Sequence, residues 1–168
     1  MELRPFAVAD AATVASWPVC AGEVALWCGL RDFPVAAAVV RGWQREGDVR
    51  GCVLAEGERL VGYGEVWCDA AEDEAELARI IVAPGSRGEG AGRELVRGLT
   101  ELALRTGYAE VFLRVHPGNA AALRCYRAAG FLPVAPALAA EWNVPQPVDY
   151  VWLRHAGAVS GQVAPRPS

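Results

Sequence analysis

The residues best suited to chemistry lie mid-chain, where Arg87-Gly88-Glu89-Gly90-Ala91-Gly92 follows a β-branched run and opens a segment of helical periodicity. A turn placed at a helix start leaves its free amides pointing outward together, and the helix dipole favours negative charge at that end. Glycine matters because a side chain would hold a diphosphate too far from the backbone. The turn therefore has the chemistry of an anion cradle, to which Arg87 adds a charge. In isolation, a glycine-rich turn that needs only positive φ would read the same way. Two rival phosphate motifs fail on residues. A Walker loop requires a lysine, and all 16 cationic residues of this chain are arginines; a Rossmann loop requires GxGxxG, whereas Gly90-x-Gly92 runs on into Arg93, Glu94 and Leu95.

A second informative stretch runs from Asn119 to Phe131: an asparagine suited to capping a helix, Tyr126 two turns in, and a Gly130-Phe131 stop. Nucleophilic and metal chemistry find little support. Cys20, Cys28, Cys52, Cys68 and Cys125 form no CxxC pair and have apolar neighbours, so they read as reduced, largely buried thiols. His116 and His155 lie in no nucleophile motif, and no ligand cluster for a metal is visible. The absence of lysine removes Schiff-base chemistry.

The elements that must position these residues follow from periodicity and punctuation. Residues 2 to 8 read as a strand, and Asp10 as the cap of a helix ending near Pro18. A helical region from Cys20 to Trp43 is broken between Gly29 and Pro34. Residues 51 to 56 and 60 to 68 alternate as a hairpin, followed by an acidic, loop-like segment from Ala70 to Glu76. Leu77 to Val82 is a strand stopped by Pro84, and Leu95, Leu99, Leu102 and Ala103 mark one face of a helix closed by Gly107. Val111 to Val115 is a further strand; a helix spans Asn119 to Ala129, a strand starts at Phe131, a loop holds Pro133, Pro136, Pro145 and Pro147, and a last strand lies near Tyr150 to Leu153. Residues 1–155 thus form one domain, and 156–168, poor in large apolar residues, read as a disordered tail.

Together, the strand Ile80-Ile81-Val82-x-Pro84, the RGxGxG turn, a helix, another strand and the NxxAxxxYxxxGF segment resemble the GNAT N-acetyltransferase superfamily, over roughly residues 75 to 135. The resemblance implies an α/β fold: a mostly antiparallel mixed sheet of about six or seven strands, flanked by about four helices and splayed between its fourth and fifth strands. It implies acetyl-CoA as cosubstrate, with the pantetheine arm along the main chain of Ile80, Ile81 and Val82 and the diphosphate on Arg87, Gly88, Glu89, Gly90, Ala91 and Gly92. Asn119 would contact the cofactor, and Tyr126 would protonate the departing thiolate, a role open to a phenol of pKa near ~10. Tyr126 would otherwise serve as a core aromatic. Glu76 is the implied general base, with Glu74 as second choice. Members that acetylate ribosomal-protein N-termini carry a glutamate where this chain has Arg114, which argues against that substrate.

The implied reaction is direct acetyl transfer to a primary amine in a ternary complex, without a metal. A non-catalytic acyl-CoA sensor is the competing class. Helical residues around Trp27, Arg31 and Phe33, and Trp142 in the proline-rich loop, are candidates for the acceptor pocket, with core packing as the alternative. The acidic run Asp69, Glu72, Asp73, Glu74 and Glu76 would favour a cationic amine, or serve solubility alone. A net charge of −4 and scattered arginines argue against nucleic acid as a partner. No apolar run approaches the ~18 residues of a membrane span, and the start lacks the plan of a signal peptide, so a cytoplasmic monomer or homodimer is expected.

Overall fold

In the computed structural model, which describes residues 1–157, the chain runs β1 (Glu2–Pro5), a 3-10 turn (Val8–Asp10), α1 (Ala11–Ala15), α2 (Ala21–Cys28), α3 (Ala37–Trp43), β2 (Val49–Glu56), β3 (Arg59–Asp69) and β4 (Glu74–Val82). A 3-10 turn (Pro84–Ser86), α4 (Ala91–Arg105), β5 (Glu110–Val115), α5 (Ala120–Ala128), β6 (Phe131–Pro133), α6 (Pro136–Asn143) and β7 (Val151–His155) complete it. The strands form one sheet in the order β1-β2-β3-β4-β5-β7-β6. Every neighbouring pair is antiparallel except β4 and β5.

Helix α4 is preceded by Gly90, whose φ of 90° is open to glycine at little cost, and its Leu95, Leu99 and Ala103 recur every four residues and are buried. That stripe packs on one sheet face with Leu54, Leu77, Val111 and Phe131. The opposite face is covered in two places. Helices α1 to α3 bring Val14, Trp27 and Trp43 onto Val53, Tyr63 and Ile81. Helix α6 brings Trp142 onto Phe112 and Trp152.

The one parallel pair opens the middle of the sheet. Strands β4 and β5 are bonded only from Glu74↔Glu110 to Glu76↔Phe112; beyond that, β4 continues to Val82 and β5 to Val115 without pairing each other. The sheet opens into a fork between its fourth and fifth strands, as the resemblance implied.

Several local expectations change. Among the described residues the sheet is flanked by six α-helices, one of which, α6, lies in the proline-rich stretch after Phe131 that the sequence read as a loop. Pro136 sits in its first turn, where a missing N–H costs nothing, and Leu138, Ala139 and Trp142 find apolar partners. The first strand ends at Pro5, and Asp10 does not cap α1: its carboxylate takes Arg4 Nη1 at 2.8 Å and the amide of Ala7 at 2.7 Å. Glu74 to Glu76 belong to β4 rather than to a loop. The tail expectation for 156–168 falls, beyond Gly157, outside the described residues.

Candidate active site

A cleft of about 710 Å³ occupies the fork. Its walls are Leu77 to Val82 of β4, the Gly88–Gly92 turn, Arg114 and Val115 of β5, and the start of α5, with α2 contributing Glu23, Leu26 and Trp27 at the rim. The strand residues present main chain here because no neighbouring strand claims their amides and carbonyls on the β5 side.

The glycine turn opens α4 as the sequence suggests. Gly88 and Gly90 have φ of 81° and 90°, and a Cβ at either position would meet no atom within 4 Å, so the space above the turn is open. Gly92 is required for a different reason: its Cβ would lie 3.2 Å from Cys125 Sγ and 3.5 Å from Val82 Cγ2, where α4, α5 and β4 converge. Side chains of Glu89 and Ala91 do not line the cleft; Glu89 is exposed and Ala91 is buried in the core, leaving only their main chain to the cradle. Arg87 lines the cleft but directs its guanidinium to Glu23, at 2.8 Å from Nη1, and its Nε to the carbonyl of Val82 at 3.1 Å. It ties α2 to the cradle, and the guanidinium holds the Glu23 carboxyl below the usual carboxylate range.

Asn119 caps α5, its Oδ1 accepting from Ala122 N at 3.1 Å, and it lines the cleft. Tyr126, 8% exposed, lines the same cleft from α5, and burial pushes its phenol above the ordinary value. A phenol in that setting stays protonated at neutral pH and keeps a proton to donate. Burial likewise raises the thiol of Cys125, which disfavours its thiolate.

Glu76 lies apart from these residues. Its Oε1 pairs with Arg114 Nε at 3.0 Å, and it lines a second pocket, of about 390 Å³, with Trp67, Asp69, Glu72, Glu74 and Phe112. Arg114, which also bonds Gln146 Oε1 at 3.0 Å, lines the main cleft and so stands between the two cavities. Of the candidate acceptor aromatics, Trp27 reaches the cleft, Phe33 is 48% exposed outside it, and Trp142 is a core residue against Phe112 and Trp152.

Sequence reasoning missed Arg79, Arg93 and Arg124, which line the cleft with Arg87 and Arg114; the guanidiniums of Arg79, Arg87 and Arg114 pair with Glu65, Glu23 and Glu76, which leaves Arg93 and Arg124 as its main positive charge. Such a lining attracts a polyanion. It also missed Glu65, fully buried beneath Arg79, although a lone acid in the apolar strand from Val61 to Val66 was the available signal.

Comparison with known families is decisive at this point: the model of the acetyltransferase (GNAT) family matches residues 14–131. The chain belongs to the GNAT acetyltransferase family. Streptothricin acetyltransferase from Streptomyces lavendulae is 32% identical over 116 residues, covering 61% of each chain, so the match leaves more than a third of that relative unspanned. Among solved structures, aminoglycoside acetyltransferase AAC(6')-Ib in complex with coenzyme A and kanamycin superposes with a TM-score of 0.67 at 20% identity, covering 91% of this chain and 92% of that one. Spermidine N-acetyltransferase from Vibrio cholerae, in complex with CoA and spermine, gives 0.66 at 19% identity, covering 80% and 82%. This GNAT chain therefore has the fold of acyltransferases, with the fork and the Gly-rich turn facing one cleft. No helix among its described residues is long and apolar enough to cross a membrane.

Proposed function

We propose that this GNAT protein moves an acetyl group from acetyl-CoA to the primary amine of a cationic acceptor, by direct attack in a ternary complex. The observation that carries the reading is the joining, in one cleft, of an open glycine cradle, an unpaired stretch of strand and a buried tyrosine. The residues fit acetyl-CoA. The amides at Gly88 to Gly92 suit its diphosphate, the arginines its negative charge, and the main chain of Ile80 to Val82 its amide-bearing pantetheine arm.

When bound, acetyl-CoA supplies the activated thioester. Tyr126 holds the proton that the leaving sulfur requires, and its position inside the cleft favours an enzyme over a sensor. The acceptor's proton goes to Glu76, directly or through water, from the pocket on the other side of Arg114. That pocket supports the choice of a cationic acceptor: Asp69, Glu72, Glu74 and Glu76 line it together with the aromatic rings of Trp67 and Phe112. Streptothricin, kanamycin and spermine, named with the similar proteins, belong to the same chemical class of amines.

The test measures acetyl-CoA binding by calorimetry, then CoA release with spermine, kanamycin and streptothricin beside neutral and acidic amines. Binding, turnover on the cationic set and intersecting double-reciprocal lines are expected. Parallel lines would remove the ternary complex, binding without turnover would favour a sensor, and no binding would overturn the proposal.

A further inference from the structure

Strand β4 does not run regularly into the fork. Tyr63 pairs with Ile81 and Glu65 with Ala78, so Gly64 of β3 faces two residues, Arg79 and Ile80, across a β-bulge. The parity of β4 changes there: Ala75 and Leu77 face the α4 core before it, Ile80 and Val82 after it. The bulge lies beyond Glu76↔Phe112, the last pair that β4 makes with β5. It therefore sets the direction in which Ile80 to Val82 meet the cleft.

Arg79 adopts φ of 46°, a left-handed conformation unusual for a residue with a side chain. It is held from two sides. Its carbonyl accepts the indole N–H of Trp27 from α2 at 2.7 Å. Its guanidinium lies 4.4 Å from the centroid of Trp43 and 4.9 Å from that of Trp67, and Nη1 donates to Glu65 Oε2 at 3.0 Å. Glu65 is 0% exposed and also accepts from Trp67 Nε1 at 2.6 Å and from the hydroxyl of Tyr63, which in turn accepts from Gln44 Nε2 at 3.0 Å. A buried ion pair contributes little stability that apolar side chains would not also supply. Here it sits with a left-handed arginine at the point where β4 leaves its partner, and Arg79 itself lines the cleft.

We propose that Arg79 is a positioning residue: latched by Trp27 at its carbonyl and by Glu65, Trp43 and Trp67 at its guanidinium, it fixes the bulge that aims Ile80 to Val82 at the pantetheine and acetyl end of the cosubstrate. The inference rests on the acetyl-CoA reading above. It assigns the latch to one end of the ligand only, because the cradle at Gly88 to Gly92 lies beyond the bulge and is tied down separately by Arg87 and Glu23.

The experiment compares, by calorimetry, acetyl-CoA with adenosine 3′-phosphate 5′-diphosphate, which carries the nucleotide end without the pantetheine. Arg79→Ala should weaken acetyl-CoA about tenfold, the loss of one or two main-chain hydrogen bonds, and leave the nucleotide unchanged. Millimolar guanidinium, refilling the Trp43–Trp67 gap over Glu65, should recover part of the loss. Trp27→Phe, which keeps a ring and deletes the N–H, should show the same split on a smaller scale, and it decides the matter if Arg79→Ala does not fold. Equal weakening of both ligands without recovery by guanidinium, or no weakening of either, would overturn the positioning role while native binding of acetyl-CoA left the broader reading in place. Failure of the native chain to bind acetyl-CoA would remove both.

Discussion

Gly90 offers a clean separation of folding from binding when two substitutions are compared there. In both Gly90→Ala and Gly90→Trp the backbone must hold φ of 90° with a Cβ present, which costs about 1 to 2 kcal/mol. No atom lies within 4 Å of that Cβ, so the Cβ itself meets nothing and the two variants should share the same backbone cost. For a chain of this size each kcal/mol lowers Tm by about 2 to 4 °C, so both should melt a few degrees below the native protein. They should differ in binding. The alanine methyl intrudes little on the cradle, whereas an indole fills the space where a diphosphate would meet the amides of Gly88 to Gly92. Hydrogen bonds to a charged group contribute about 1.5 to 3 kcal/mol each, so losing two predicts at least a hundredfold weakening of acetyl-CoA. Calorimetry on the two variants, matched by thermal melts, reads both quantities. A folded Gly90→Trp that binds acetyl-CoA as tightly as Gly90→Ala would refute the placement of the diphosphate.

Two further outcomes follow from the cleft and the core. Tyr126→Phe keeps the buried ring and removes only the hydroxyl, so kcat should fall by about 10²- to 10⁴-fold with acetyl-CoA affinity unchanged; an unaltered kcat would assign the protonation of the thiolate elsewhere. His155 meets Phe131 edge to face with centroids 5.3 Å apart, its Nδ1 accepts from Gly157 N at 3.2 Å, and burial lowers its pKa. The unfolded chain then holds more protons between that lowered value and the usual ~6.5, so stability is complete above about pH 6.5 and declines as pH falls below it. Melting curves across that window should show the decline, and His155→Gln should flatten it.

Much of the main cleft was legible because its signals are local. A glycine turn, a helix start and a capped helix depend on neighbours within a few residues, so Gly88 to Gly92, Asn119 and Tyr126 emerge along one cleft with the types their positions demand. The mostly antiparallel sheet and its splay after the fourth strand followed from the resemblance those motifs carried. The second, acidic pocket was legible only as composition. The acidic run was visible, but an alternation of charges does not say which members share a face, and residue parity in β4 changes at a bulge that no periodicity announces.

Sequence alone, then, determined the glycine turn at the start of α4, the capped helix α5 and the place of Tyr126 on it, since backbone conformation and capping are decided within a turn or two of chain. Tertiary structure decided the rest. Trp142 became core rather than pocket wall because α6 folds onto Phe112 and Trp152; Glu76 was turned to Arg114 by the parallel pairing of β4 with β5; and Arg79 met Trp27, 52 residues away, and Glu65 across a strand pair. Such contacts are set by strand register and by which helix covers which face. Those choices minimise the free energy of the whole core and leave no mark at any one position in the chain.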